Sequence, residues 1–302
     1  MSNLVATALI NFERFMAGMK RHVIQIGDHR VVYSEGGQGD TLLLLHGFGA
    51  AADSWNPLAR SLTKKYHVIA PDLPGWGAST RHESASYAYP AQIERLYSFT
   101  QKLELDRFHL MGHSMGGFLA SDYAARYPEK VITLGLLCPH GMSEPEPSDL
   151  SRSIECGHNW LVASSLEDFN RLLDNIFVKR PSIPRPVIKY LSELAARNSA
   201  KSLTIFNEMQ QNDPPLIERL AHIKAPTMIV WGDQDRVLHV SCANLFKANI
   251  KNAELLILKN CGHMPLSEKV NAWKETYLAF VDKAASTART GLLLETPATI
   301  ER

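Results

Sequence analysis

The sequence predicts an α/β chain: a mostly parallel, doubly wound sheet with a helical cap inserted near its middle. Three observations carry that expectation. Short apolar runs alternate with helix-length segments over most of the chain. Runs such as Leu42–Leu45 and Met228–Val230 are apolar without alternation, as strands covered on both faces must be. Between about His140 and His222 the alternation stops, and helical spacing interrupted by prolines 181, 184, 186, 214 and 215 replaces it.

The elements follow in order. Residues 1–20 place Leu4, Val5, Leu9, Phe12, Phe15, Met16 and Met19 mostly on one helical face, with Asn3, Thr7, Asn11 and Arg14 opposite and Ile10 out of pattern. That is an amphipathic helix. Its polar residues interrupt the apolar run well short of the roughly 20 residues that span a bilayer. No basic region leads it and no small-residue cleavage site follows, which speaks against a secretory signal. Two readings stay open: peripheral contact with a membrane surface, or packing on the protein or a second chain.

Val23–Ile26 and Val31–Ser34 are close together and more polar, as an antiparallel edge hairpin would be. Thr41–His46, Val68–Ala70, Phe108–Met111 and Val131–Leu137 read as the next strands, with helical spacing at Trp55–Leu62, Ile93–Leu103 and Met115–Arg126 between them. The cap, residues 140–222, opens on Glu144-Pro145-Glu146-Pro147. It has helical patterns at Ile154–Ser164, Leu166–Phe177, Val187–Asn198 and Leu203–Gln211. Thr227–Trp231, Cys242–Ala248, Glu254–Leu258 and Val270–Val281 then resume the alternation. The core is therefore expected over residues 21–139 and 223–284. Residues 285–302 read as a flexible tail.

Composition narrows the partners. A formal net charge of +1 over 302 residues gives no electrostatic case for nucleic acid. Cys138, Cys156, Cys242 and Cys261 are scattered without a Cys-x-x-Cys pair, so the cysteines suggest neither a zinc site nor a disulfide framework. This is cysteine usage suited to the cytoplasm, including its membrane surface.

The chemistry concentrates in short motifs at the ends of strand-like runs. Gly112-His113-Ser114-Met115-Gly116 joins such a run to a helical one, the setting in which a serine is lifted above a sheet on a strained turn. Ser114 alone is a weak nucleophile; it needs a base, itself oriented by a carboxylate. In chain order the acid should follow a later strand and the histidine the last one. Trp231-Gly232-Asp233-Gln234-Asp235 and Gly262-His263 stand there. Asp235 is favoured over Asp233, because Asp233 sits at the strand end where it can cap the turn. The oxyanion donors are assigned to the backbone N–H groups of Phe48, in His46-Gly47-Phe48-Gly49, and of Met115. His46 and His113 read as loop-organising residues, and Trp76 as structural or at the pocket entrance. The scheme needs no metal and no organic cofactor.

Together with Asp72-Leu73-Pro74-Gly75-Trp76-Gly77 and Gly262-His263-Met264-Pro265, these motifs resemble the α/β-hydrolase superfamily over roughly residues 20 to 283. Within it, the chain is similar to bacterial lipases and esterases akin to monoacylglycerol lipases. That narrower likeness rests on Arg21-His22-Val23, Leu137-Cys138-Pro139-His140-Gly141 and Asn260-Cys261-Gly262-His263. The resemblance implies hydrolysis of medium- or long-chain acyl esters, a helical lid and a membrane-facing N-terminal segment.

The function expected is therefore a serine hydrolase of lipid-like carboxylic esters, with a small-molecule acyl ester as its substrate partner. The alternative is a carbon–carbon bond hydrolase acting on dianionic ring-fission products. That chemistry would call for pocket arginines from the cap, with Arg152, Arg171, Arg180 and Arg185 available. A non-catalytic binding member is the third reading; it fits poorly with a complete set of three residues. Trp160, Leu161, Phe169, Ile176, Phe177 and Phe206 are candidates either for an acyl pocket or for the cap's own core. Oligomeric state is not readable.

Overall fold

The computed structural model describes residues 2–211 and 215–295, with side chains described up to residue 284. Its centre is a sheet ordered β1-β2-β4-β3-β5-β6-β7-β8. The strands are β1 (Lys20–Ile26), β2 (His29–Gly36), β3 (Thr41–Leu45), β4 (His67–Pro71), β5 (Phe108–His113), β6 (Val131–Leu137), β7 (Thr227–Gly232) and β8 (Ala253–Leu258). β1 and β2 pair antiparallel, β2 joins β4 antiparallel, and every pairing from β4 onward is parallel.

Helices cover both faces, and the alternation of side chains along each strand explains why. Leu43 and Leu45 of β3 point into one core cluster, with α3 (Tyr89–Lys102), α4 (Met115–Arg126) and α9 (Ser241–Asn249) packed on it. Leu42 and Leu44 point into the other, with α2 (Asn56–Leu62) and α11 (Val270–Glu295) on that side. All four leucines are fully buried, each worth about 1.5–3 kcal/mol relative to exposure. A parallel sheet clad on both sides opens its carboxyl edge to loops, which is where ligands meet such folds.

The segment between β6 and β7 holds α5 (Asp149–Glu155), α6 (Leu166–Ile176), α7 (Arg185–Gln211) and the short α8 (Ile217–Leu220). Two helices differ from the sequence expectation. The helix predicted from Ile154 instead starts at Asp149, where Ser148 caps it by accepting from the Ser151 N–H, and ends before Gly157 at φ +79°. The two predicted helices Val187–Asn198 and Leu203–Gln211 are one. The polar stretch between them stays helical, Ser199 donating back to the Ala196 carbonyl at 2.9 Å.

α1 (Ser2–Met16) packs against α7 and inverts the usual arrangement of an amphipathic helix. Ala6 and Arg14 face inward, Arg14 holding Asp53 through Nε and Nη2 at 2.8 and 2.7 Å, while Leu4, Val5, Phe12, Phe15 and Met16 face outward. Among the described residues no helix is long and apolar enough to cross a membrane. At the other end, α11 continues to Glu295, through the helix-favouring Ala284, Ala285 and Ala288. It therefore occupies the first part of the expected tail 285–302, and residues 296–302 lie outside the described residues.

Candidate active site

Ser114 stands between β5 and α4 with φ +53° and ψ −117°, a strained conformation for a side-chain-bearing residue. Neighbouring backbone explains the glycine nearby. A Cβ on Gly116 would sit 2.2 Å from the Leu45 carbonyl oxygen, so only glycine lets α4 start this close to β3. Ser114 is anchored by its N–H on the Leu137 carbonyl at 3.0 Å, and its own carbonyl accepts from Gly117, Phe118 and His140.

The loop after β3 closes on the same spot: a Cβ on Gly47 would lie 3.2 Å from Ser114 Cβ. Its shape is set by His46. Nε2 accepts from the Leu73 N–H at 2.9 Å, which leaves Nδ1 to donate to the Gly47 carbonyl at 2.8 Å. Burial holds this imidazole below its usual pKa. His46 is a neutral organiser of the turn that carries Phe48. Trp76, 2% exposed, stands behind Phe48 edge-to-face at 4.6 Å.

β7 and β8 deliver the remaining pair. Asp235 Oδ2 lies 2.7 Å from His263 Nδ1, and both residues are buried. Oδ1 of the same carboxylate accepts from the Val237 and Leu238 N–H groups at 2.8 and 3.0 Å, which fixes its rotamer. Asp233 is engaged elsewhere, accepting weakly from Cys261 at 3.4 Å and facing Lys259. Asp235, not Asp233, reaches the histidine. His113 ties the two halves together: its Nε2 donates to the His263 carbonyl at 2.7 Å. Burial foremost, then His263, push the His113 pKa down to about 3. Cys138, at φ +42° and fully buried, brings its thiol within 4.8 Å of the Asp235–His263 pair. Burial raises that thiol well above its usual value, so it stays protonated.

The alpha/beta hydrolase fold family model matches residues 40–270. The chain belongs to that family. Lipase 1 of Psychrobacter immobilis is 33% identical over 281 residues, 90% of this chain and 87% of that protein. Monoacylglycerol lipase ABHD6 of Mus musculus is 31% identical over 90% of this chain and 84% of its own length. Among solved structures, a membrane phospholipase A described as a bacterial virulence factor superposes with TM-score 0.92 at 40% identity, covering 94% of this chain and 92% of that one.

In this α/β-hydrolase, Ser114 opens on a cavity of about 340 Å³. Phe48 and Met115 share its wall with apolar residues of the insertion and of the loop after β7, among them Ile154, Leu161, Phe206, Met209 and Leu238. Of the candidate pocket residues, Leu161 and Phe206 line it. Phe169, Ile176 and Phe177 pack with Leu173, and Trp160 packs with Leu150 and Val237. The charged groups of the wall are Glu144 and Glu155; no lysine or arginine is among its described residues. Arg152 turns to Asp149, Arg171 to Glu167, and Arg180 to Asn170. His140, on the same wall, is driven to a pKa of about 4, burial being the main cause.

Two supporting residues were not singled out from sequence. The Glu268 carboxylate accepts from the N–H groups of Gly262 at 3.0 Å, Lys179 at 2.7 Å and Val178 at 3.3 Å. Glu144 does the equivalent beside the loop that follows Asp235, accepting from His239 N–H at 2.8 Å, Ser148 N–H at 2.9 Å and Ser151 Oγ–H at 2.6 Å. Neither carries a motif; Glu144 in its Glu-Pro-Glu-Pro run was the one local signal.

Proposed function

We propose that this chain hydrolyses carboxylic esters of lipid-like substrates through an acyl-enzyme, with residues 140–222 acting as a cap over the site. Ser114 attacks the ester carbonyl, and His263 accepts its proton and returns it to the leaving alcohol. Asp235 holds the imidazole in the tautomer with Nδ1–H and stabilises its charged form. The backbone N–H groups of Phe48 and Met115 receive the developing oxyanion; Met115 begins a helix, so its amide has no partner within that helix. Water activated by His263 then releases the acid. The relatives named lipase and monoacylglycerol lipase support the same chemistry.

The observation that carries the reading is the wall of the cavity above Ser114: mixed, with an apolar part formed by Phe48, Ile154, Leu161, Phe206, Met209 and Leu238, acidic where charged, and without a described lysine or arginine. An acyl chain fits such a wall. A dianionic ring-fission product would be repelled, which weighs against carbon–carbon hydrolysis. The outward apolar row of α1 supports peripheral contact with a lipid surface, where such substrates reside.

The deciding experiment is hydrolysis of p-nitrophenyl esters from acetate to palmitate, with Ser114→Ala alongside. A maximum at medium or long chains, abolished by the substitution, is expected. Turnover surviving in Ser114→Ala would remove the mechanism, and a preference for acetate would remove the lipid-like substrate.

A further inference from the structure

Away from Ser114, one cluster of metal-ligating side chains has no part in ester chemistry. A ring nitrogen of His29, one of His82 and a carboxylate oxygen of Asp28 all lie within 4.8 Å of one another. Asp28 occupies the β1–β2 turn and His29 opens β2. His82 comes from the loop that leaves β4 and runs back along β2. That loop is held in place by Ser79 Oγ accepting from Val32 N–H at 2.8 Å and by Thr80 N–H donating to the Arg30 carbonyl at 2.9 Å. His82 N–H in turn donates to the Tyr87 hydroxyl at 2.8 Å. The backbone therefore presents these groups together.

The chemistry of His29 points to a ligand. Its ring is 1% exposed, Nδ1 is 2.6 Å from Asp28 Oδ1, and the buried Nε2 has no hydrogen-bond partner. The nitrogen facing the carboxylate is therefore Nδ1, and His82 joins the same group, its Nε2 lying 3.0 Å from the Asp28 carbonyl oxygen. Two imidazoles with one carboxylate suit zinc and neighbouring first-row ions; magnesium and calcium prefer all-oxygen sites.

We propose that Asp28, His29 and His82 bind one divalent transition-metal ion of the zinc type, with a further position left to water. The ion would join the β1–β2 turn to the loop between β4 and α3. That loop is itself tied to α7, because Glu208 accepts from the Tyr87 N–H at 2.9 Å and from the Ser86 hydroxyl. α7 supplies Phe206 and Met209 to the cavity wall. The ion is thus a structural clamp at the sheet's edge, and the proposal stands whether or not the ester reading does.

The test uses untagged full-length protein, stripped with a chelator and titrated with Zn²⁺ and with Co²⁺. One equivalent should bind, raise the melting temperature, and give a Co²⁺ ligand-field spectrum without a thiolate charge-transfer band. The missing band matters, since Cys138, Asp235 and His263 also bring their donors within 4.8 Å of one another. His82→Gln and Asp28→Asn, at positions open to solvent, should each weaken Zn²⁺ binding by about tenfold or more and lose the thermal gain. Binding of equal strength in both variants, no binding by the parent, or a thiolate band would overturn the assignment. Melting of the metal-free variants, together with their Co²⁺ spectra, separates a lost ligand from a lost fold.

Discussion

The main-chain N–H of His263 donates to the carbonyl of Ile176 at 2.9 Å, so the proposed base hangs from the last residue of α6. Gly262 makes that approach possible, since a Cβ there would lie 2.6 Å from the same carbonyl oxygen. Glu268 locks the arrangement by accepting from Gly262 on one side and Val178 and Lys179 on the other. The histidine loop and the helical insertion are therefore tied together, and the geometry of the proposed base rests on a carboxylate that does no chemistry.

Replacing that carboxylate should disturb both stability and rate. Glu268→Ala leaves the partly buried Gly262 N–H without its acceptor, while the exposed Val178 and Lys179 N–H groups turn to water, a loss of about 1 kcal/mol, visible in chemical denaturation. The kcat for a good ester should fall, while Glu268→Gln, which keeps one acceptor oxygen, retains most of both. Equal behaviour of the two variants would mean that the charge, not the clamp, is what matters.

Asp235 and Asp233 offer a direct contrast. Asp235→Asn keeps the shape but presents an amide to His263 Nδ1, favouring the wrong tautomer. The kcat should drop on the order of 10⁴-fold. Asp233→Asn, two residues away and facing Lys259, should stay within a few-fold of the parent. A large loss at Asp233 with a small one at Asp235 would reassign the acid.

Stability should depend on the neutral histidines. Burial pushes His113 down to about 3 and His140 down to about 4, against an ordinary value of 6.5. Between these values the unfolded chain binds protons that the folded chain refuses, so stability is complete above the ordinary value and is lost as pH falls toward the folded ones. The melting temperature at about pH 5 should lie below that at about pH 7.5. His113→Asn should flatten the dependence, and an unchanged slope would take His113 out of the account.

Much of this was legible in sequence because local signals and fold agreed. Strands β3 and β7 carry unbroken apolar runs, Leu42–Leu45 and Met228–Trp231, and the residues that close the site stand at strand ends, where periodicity stops and glycine appears. Asp235 could be preferred over Asp233 only because Asp233 stands at the strand end, where it can cap the turn. What sequence could not reach was set by tertiary contacts: Glu268 and Glu144 act on N–H groups far away in the chain. Ser148 and Gly157 set the ends of α5 by caps that a hydrophobic pattern does not encode, and the polar stretch around Ser199 stays helical without an apolar period to mark it. The inward face of α1 was also hidden, because it presents the small Ala6 and the Arg14 that meets Asp53, while the longest apolar residues point outward.

Head-group charge is the next test. With Glu144 and Glu155 in the cavity wall and no described lysine or arginine, a neutral glycerol monoester should be preferred to an anionic ester of equal chain length. A like charge at the wall of about 1.4 kcal/mol corresponds to tenfold in kcat/KM. Glu155→Lys should narrow or reverse the ratio. A parent enzyme preferring the anionic ester would contradict the cavity argument and reopen the ring-fission reading.

The last test concerns the surface that α1 presents. Leu4, Phe12 and Phe15 are 76%, 56% and 75% exposed, on a helix that Arg14 and Asp53 fix to the body of the protein. Single exposed apolar residues are ordinary, but a row of long ones on a fixed helix marks a contact surface. Inserting each phenylalanine into a lipid interface would contribute up to about 1.5–3 kcal/mol. Phe12→Glu with Phe15→Glu should therefore lower partitioning onto phosphatidylcholine vesicles by about tenfold or more, as read by co-sedimentation. Turnover of a water-soluble short-chain ester reports whether the fold survives the change. Unaltered partitioning would remove the helix from membrane contact, and lipid-free dimers abolished by the same substitutions would give the face to a second copy of the chain.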